Sequence, residues 1–173
     1  GKQPSDDDRY ELIETLGQGR QGKTFLARPA AGSSQTVVIK HSYTPQEPLD
    51  SLVKRLRAVG RHPQLPALID GWQTDAGQFL VFEQITYPRL KADASPWSPS
   101  ALEPWLRSLL SVLEYLHSFR LVHGDIRPEN IRQGPRPILV DLRIAPPLAR
   151  RQELSATGGD AAYAAPEQIL GTL

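Results

Sequence analysis

His123-Gly124-Asp125-Ile126-Arg127-Pro128-Glu129-Asn130 is the stretch whose reading decides the fold. Asp125 and Asn130 carry hard oxygen groups, which suit proton transfer and Mg²⁺ coordination. Arg127 lies between them in the sequence and brings a cation to balance negative charge. His123 invites a second reading, as a catalytic or metal-binding histidine.

On the C-terminal side the pattern continues as loops and short strands, over Leu121–Arg132 and then Pro137–Leu142. Within the latter, Ile138-Leu139-Val140 is an apolar run that ends on Asp141. From Ala145 onward the chain is rich in Ala, Pro and Gly, with little regular structure expected. On the N-terminal side, Leu102–Phe119 repeats apolar residues at Leu102, Leu106, Leu109, Leu110, Leu113 and Leu116, the spacing of an amphipathic helix. Ser100 is the expected cap and Glu103 the expected support of its first turn. Thr86–Ser100, rich in Pro and Ser, reads as a connector.

The first half has a different texture. Strands are expected from Tyr10, over Thr24–Ala27, over Thr36–Lys40, around Ala67–Trp72 and over Gln78–Ile85. Pro29–Gln35 and Thr74-Asp75-Ala76-Gly77 read as turns. Leu49, Leu52, Val53, Leu56 and Val59 have helical spacing, with Lys54, Arg55 and Arg57 on the opposite face. The fold class expected is α+β: a small antiparallel sheet with one helix over residues 1–85, then a partial, mainly helical second half over residues 86–173. There is no internal repeat.

Gly17-Gln18-Gly19-Arg20-Gln21-Gly22-Lys23-Thr24 fits two phosphate-binding strings at once. One is the G-x-x-x-x-G-K-T of a P-loop, the other a G-x-G-x-x-G loop. Both cradle phosphates with backbone N–H groups, because glycine lets the backbone approach closely. A P-loop must open a helix. Here Phe25-Leu26-Ala27-Arg28-Pro29 follows and runs into a turn, which favours a strand in a hairpin. The Ile138–Asp141 run resembles a Walker B strand, so a P-loop NTPase stays as a distant alternative.

Composition narrows the function classes. Lys and Arg total 20 and Asp and Glu 19 of 173 residues, so there is no basic footprint for nucleic acid. No apolar run is long enough to span a bilayer, no membrane contact is expected, and no secretory signal opens the chain; a cytoplasmic location is expected. The absence of Cys excludes disulfides and cysteine nucleophiles. Met is also absent, even at position 1, and a segment of a longer protein is expected.

Six pieces in order resemble the eukaryotic-type (Hanks-type) Ser/Thr protein kinase family, with wording similar to its bacterial members. They are the Gly17–Gly22 loop, Val37-Val38-Ile39-Lys40, Phe79–Ile85, His123–Asn130, Val140-Asp141-Leu142-Arg143 and Ala165-Pro166-Glu167. The resemblance covers nearly the whole chain and implies a two-lobed fold that binds ATP and Mg²⁺ in its cleft. It implies that Gly17, Gln18, Gly19, Arg20, Gln21 and Gly22 cover the phosphates and Lys40 holds two of them. The backbone of Glu83 to Ile85 would meet adenine, and Asn130 and Asp141 would ligate Mg²⁺. Asp125 would take the substrate hydroxyl proton, Arg127 would balance charge, and His123 becomes a packed structural residue. The implied partner is a protein substrate or a protein partner; the oligomeric state is not indicated.

The chain departs from the family pattern in several places. The helix Glu that orients the strand Lys falls, by counting, on Leu52 or Val53; Glu47 lies too early and Asp50 is short. Gly124 replaces the Arg that binds a phosphorylated activation loop, so control independent of Ser155 and Thr157 is expected. Leu142-Arg143 replaces Phe-Gly, Gln21 replaces an aromatic, and Asp160 stands where a Thr is usual, with Arg127 the expected cation for a second carboxylate. The chain stops at Leu173, before the later helices of the family, so the isolated chain is expected to be inactive. The expectation is therefore a Ser/Thr kinase in the parent protein, with a pseudokinase scaffold as the alternative.

Overall fold

The computed structural model describes residues 9–91 and 98–142. The positions of Arg143, Ser155, Thr157, Asp160 and Ala165-Pro166-Glu167, singled out above, lie outside the described residues. The chain divides into two compact units. The first takes Gly1–Arg61 with Pro66–Gln84, the second His62–Leu65 with Ile85–Leu173.

The first unit is a five-stranded sheet in the order β1-β2-β3-β5-β4, with one helix. Its strands are β1 (Tyr10–Gly19), β2 (Gly22–Pro29), β3 (Val37–Ser42), β4 (Leu68–Thr74) and β5 (Gly77–Glu83). All neighbouring strands are antiparallel. Alternation builds the core: Phe25 and Ala27 of β2, Val37 and Ile39 of β3, and Phe79 and Val81 of β5 pack together. The two edge strands meet through side chains. Tyr10 stacks on Trp72 at 5.8 Å, and Arg9 pairs with Asp70 at 2.6 Å. Helix α1 (Leu49–Val59) has the expected bounds and buries Leu52, Leu56 and Val59.

The turn chemistry is dictated by close backbone approach. Asp75-Ala76 joins β4 to β5, and Gly77 follows at φ 131°. A Cβ on Gly77 would lie 2.0 Å from the Ser42 carbonyl oxygen. Only glycine tolerates both constraints.

The second unit holds α2 (Pro99–Ser118), a 3₁₀ turn (Pro128–Asn130), and the short pair β6 (Ile131–Gln133) and β7 (Pro137–Leu139). Two expectations for α2 are corrected. The helix starts earlier, with Pro99 in its first turn and Ser98 before it, because proline's fixed φ suits that position. Ser100 lies inside the helix, and Glu103 pairs with Arg107 one turn on at 2.9 Å instead of closing a capping box. The buried stripe is Leu109, Val112 and Leu116, while Leu102, Leu106 and Leu110 are exposed. The helix is apolar on more than one face, and β7 packs against it with the buried positions in its C-terminal half.

His62–Leu65 is fastened to this unit by Gln64. The buried Gln64 amide donates to Pro137 C=O at 2.8 Å and to the Ser108 carbonyl and hydroxyl oxygens at 3.1 Å. The Gln64 main-chain carbonyl accepts from Leu139 N–H at 2.9 Å. His62 stacks on Tyr115 with centroids 4.5 Å apart. Burial and the charge of Arg136 lower the pKa of His62.

Candidate active site

The glycine string is a strand–turn–strand. Gly17 pairs with Thr24 and Gly19 with Gly22 across β1 and β2. No helix follows, so the P-loop reading is set aside: nothing offers a phosphate the N-terminus of a helix. The glycines are not equivalent. A Cβ on Gly22 would lie 2.0 Å from the His41 carbonyl oxygen, a backbone atom that cannot give way. Around Gly17 and Gly19 a Cβ would meet nothing within 4 Å. Packing inside the sheet demands the third glycine, and open space surrounds the first two.

Lys40 sits on β3, opposite Thr24 of β2 and Leu80 of β5, and is half-buried. Of the acidic residues weighed for the helix, Glu47 pairs its carboxylate with Arg55. Leu52, at the counted position, is buried, and Val53 lies close over Gly71, where a Cβ would come within 3.3 Å of it. Both counted positions are thus committed to apolar packing. Glu83 ends β5 and donates its N–H to Ala67 C=O at 3.0 Å. Any base contact from Glu83 therefore falls to its carbonyl.

In the second unit the structure brings Asp125, Arg127 and Asn130 together. Asn130 is buried at the end of the 3₁₀ turn. Its amide donates to the Asp125 carbonyl at 2.8 Å and to Asp125 Oδ2 at 2.9 Å. An amide nitrogen has two hydrogens, so both are spent and the amide oxygen is the group Asn130 offers to a cation. The Asp125 side chain is 4% exposed, with Arg127 Nε 3.5 Å from Oδ2. A buried carboxylate needs such a countercharge. Arg127 Nε is itself buried and has no hydrogen-bond partner among the described residues.

His123 is buried and joins this loop to the next segment. Its Nε2 donates to Val140 C=O at 2.9 Å, and its Nδ1 accepts the Asp125 N–H at 3.3 Å. The two bonds use both ring nitrogens, which leaves no metal-ligand atom. Gly124 between them takes φ 80°, where glycine replaces a family arginine without strain. Val140 N–H donates to Asn130 C=O at 2.9 Å, which carries the β6–β7 pairing one step further, to the residue before Asp141.

Asp141 has φ 64°, uncommon for a residue other than glycine and tolerated by Asp. Such strain costs on the order of 1–3 kcal/mol and collects at functional positions. The sequence marked Asp141 as a ligand but carried no signal of this backbone conformation. Nor did any mark Arg132, whose pKa is lowered by burial and by Arg89, while the charge of Asp141 acts the other way.

The donor set suits Mg²⁺. Among the described residues no cluster of three or more His, Asp or Glu could form an all-protein cage. Mg²⁺ is ordinarily bound by one or two carboxylates, water and substrate phosphates, and the Asp141 carboxylate and the Asn130 amide oxygen are donors of that hard-oxygen kind. Among the described residues no helix is long and apolar enough to cross a membrane.

Comparison with known proteins bears on the family of this fold. Residues 10–172 match the protein kinase domain family. The chain is 35% identical over 155 residues to serine/threonine-protein kinase C of Synechocystis, covering 79% of this chain and 29% of that protein. It is 33% identical over 154 residues to serine/threonine-protein kinase PknA of Nostoc, covering 78% and 27%. Human ribosomal protein S6 kinase alpha-2 is 28% identical over 142 residues, covering 76% and 19%. The chain thus spans less than a third of the length of these relatives. With its antiparallel five-stranded sheet, its glycine hairpin and its Asp125–Asn130 loop, this chain belongs to the protein kinase domain family.

Proposed function

We propose that the chain carries the nucleotide-binding and phosphoryl-transfer residues of an ATP-dependent protein Ser/Thr kinase, with residues 1–85 as its N-lobe and 86–173 as part of its C-lobe. The observation that carries this reading is the Asp125–Asn130 pair: a buried carboxylate fixed through Oδ2 by an amide whose oxygen remains to meet a cation. In this reading the Gly17–Gly22 backbone and Lys40 take the phosphates. Asn130 and Asp141 hold Mg²⁺, which when bound neutralises charge on the phosphates. Asp125 orients the substrate hydroxyl and accepts its proton, and Arg127, whose Nε lies 3.5 Å from Asp125 Oδ2, balances charge at the transferred group. The substrate is a protein Ser or Thr.

A second reading, a pseudokinase scaffold, draws support from one observation. Glu47 is engaged by Arg55, and the counted helix positions are apolar. Two measurements separate the readings. Mg-ATP should raise the melting temperature of the 173-residue chain by linkage, and Lys40→Ala should shrink that shift. Radiolabel transfer by the longer parent protein, abolished in Asp125→Asn, supports the kinase; ATP binding with no transfer supports the scaffold. A folded chain that binds no ATP at millimolar ligand sinks the nucleotide claim in both.

A further inference from the structure

Pro88–Leu90 runs antiparallel beside β6. Leu90 N–H donates to Ile131 C=O at 2.8 Å, and Gln133 N–H to Pro88 C=O at 2.8 Å. Between those two bonds Arg89 stands opposite Arg132. This is the non-hydrogen-bonded position of an antiparallel pair. There Cα atoms approach to about 4.5 Å and both side chains leave the same face. Like charges so placed repel and destabilise the pair.

The charge of Asp141 offsets part of this repulsion on Arg132. Among the described residues neither arginine forms an ion pair. Arg132 is half-buried, and its Nη1 donates to Glu129 C=O at 2.8 Å, which holds it in place. Arg89 is exposed. An apolar pair would pack this bridge at lower cost, so the two cations call for a ligand. The position narrows its chemistry. Arg132 follows Asn130 by two residues and lies within the field of Asp141.

We propose that Arg89 and Arg132 form a phosphate-binding pair that receives a phosphate dianion of a small molecule, free or nucleotide-borne. Two positive charges match a dianion, and guanidinium forks fit phosphate oxygens bidentately. Binding turns a repulsive pair into charge-assisted hydrogen bonds, and partial burial of Arg132 protects them from salt. The nucleotide reading above gives phosphates to Gly17–Gly22 and Lys40 and assigns these arginines nothing, so the pair stands independently of it.

The test is calorimetry and thermal melting at low ionic strength with inorganic phosphate and with adenosine monophosphate. Arg89→Gln, at an exposed position, should keep the fold and weaken phosphate binding about tenfold or more. Arg132→Leu should abolish it. Without phosphate, Arg89→Gln should melt about 1–3 °C higher than the parent, because the repulsion is gone. Lys40→Ala should bind inorganic phosphate like the parent, which separates this pair from the nucleotide reading. Tighter binding of adenosine monophosphate than of phosphate, lost in the same arginine variants, assigns the nucleotide-borne source; equal binding assigns free phosphate. Equal phosphate affinity in the parent, Arg89→Gln and Arg132→Leu overturns the proposal, as does loss of phosphate binding in Lys40→Ala alone.

Discussion

Asn130 spends both hydrogens of its amide on Asp125, one on the main-chain carbonyl and one on Oδ2, at 2.8 and 2.9 Å. Donors fully used on a buried neighbour make Asn130 a brace for Asp125 as well as an oxygen ligand. Asn130→Ala would leave buried acceptors on Asp125 unsatisfied. It should cost about 1–3 kcal/mol of stability, read as a lower urea midpoint. Mg-dependent nucleotide binding should weaken in the same variant. An unchanged midpoint would mean that water replaces the amide and that the brace is dispensable.

The glycines of the phosphate loop should divide by role. Gly22→Ala forces a Cβ to 2.0 Å from the His41 carbonyl, so the β2–β3 pair must shift. We expect a loss of about 1–3 kcal/mol, the scale of overpacking, and a lower melting temperature. Gly19→Ala meets nothing within 4 Å and should leave the melting temperature unchanged while reducing the shift caused by Mg-ATP. Equal destabilisation by both substitutions would refute this division.

His41 should make the stability of the first unit depend on pH. It stacks on Phe79 at 4.0 Å, and its Nε2 donates to Ala76 C=O at 2.8 Å. Burial, aided by the charge of Lys23 and opposed by the Ala76 bond, lowers its pKa from the ordinary 6.5. The unfolded chain therefore binds the proton more readily than the folded one. The His41 contribution is complete above pH 6.5 and is lost as pH falls through the lower folded value. Melting temperature should drop between neutral and mildly acidic pH. His41→Phe should flatten that drop relative to the parent. Parallel pH curves for the two proteins would discard His41 as the source.

The sequence by itself determined the elements and their order. Alternation of apolar residues gave the strands, helical spacing gave α1 with its bounds, and strings such as His123–Asn130 and Val140–Arg143 carried the family. These features are local: each depends on residues within a turn or a strand of one another. What only the tertiary structure decided is pairing between residues that local periodicity does not relate. Leu102–Phe119 has leucines on several faces, and the choice of Leu109, Val112 and Leu116 for burial came with the packing of β7 against the helix. Glu47 looked like a poor candidate by counting, but its engagement with Arg55 follows from the path of the chain into α1. The facing of Arg89 and Arg132 is set by backbone hydrogen bonds that the Ile131 and Pro88 carbonyls accept, and neither it nor the positive φ of Asp141 is encoded by any periodicity. Charge, strain and burial at the site depend on which backbones meet, and that is fixed only once the strands have paired.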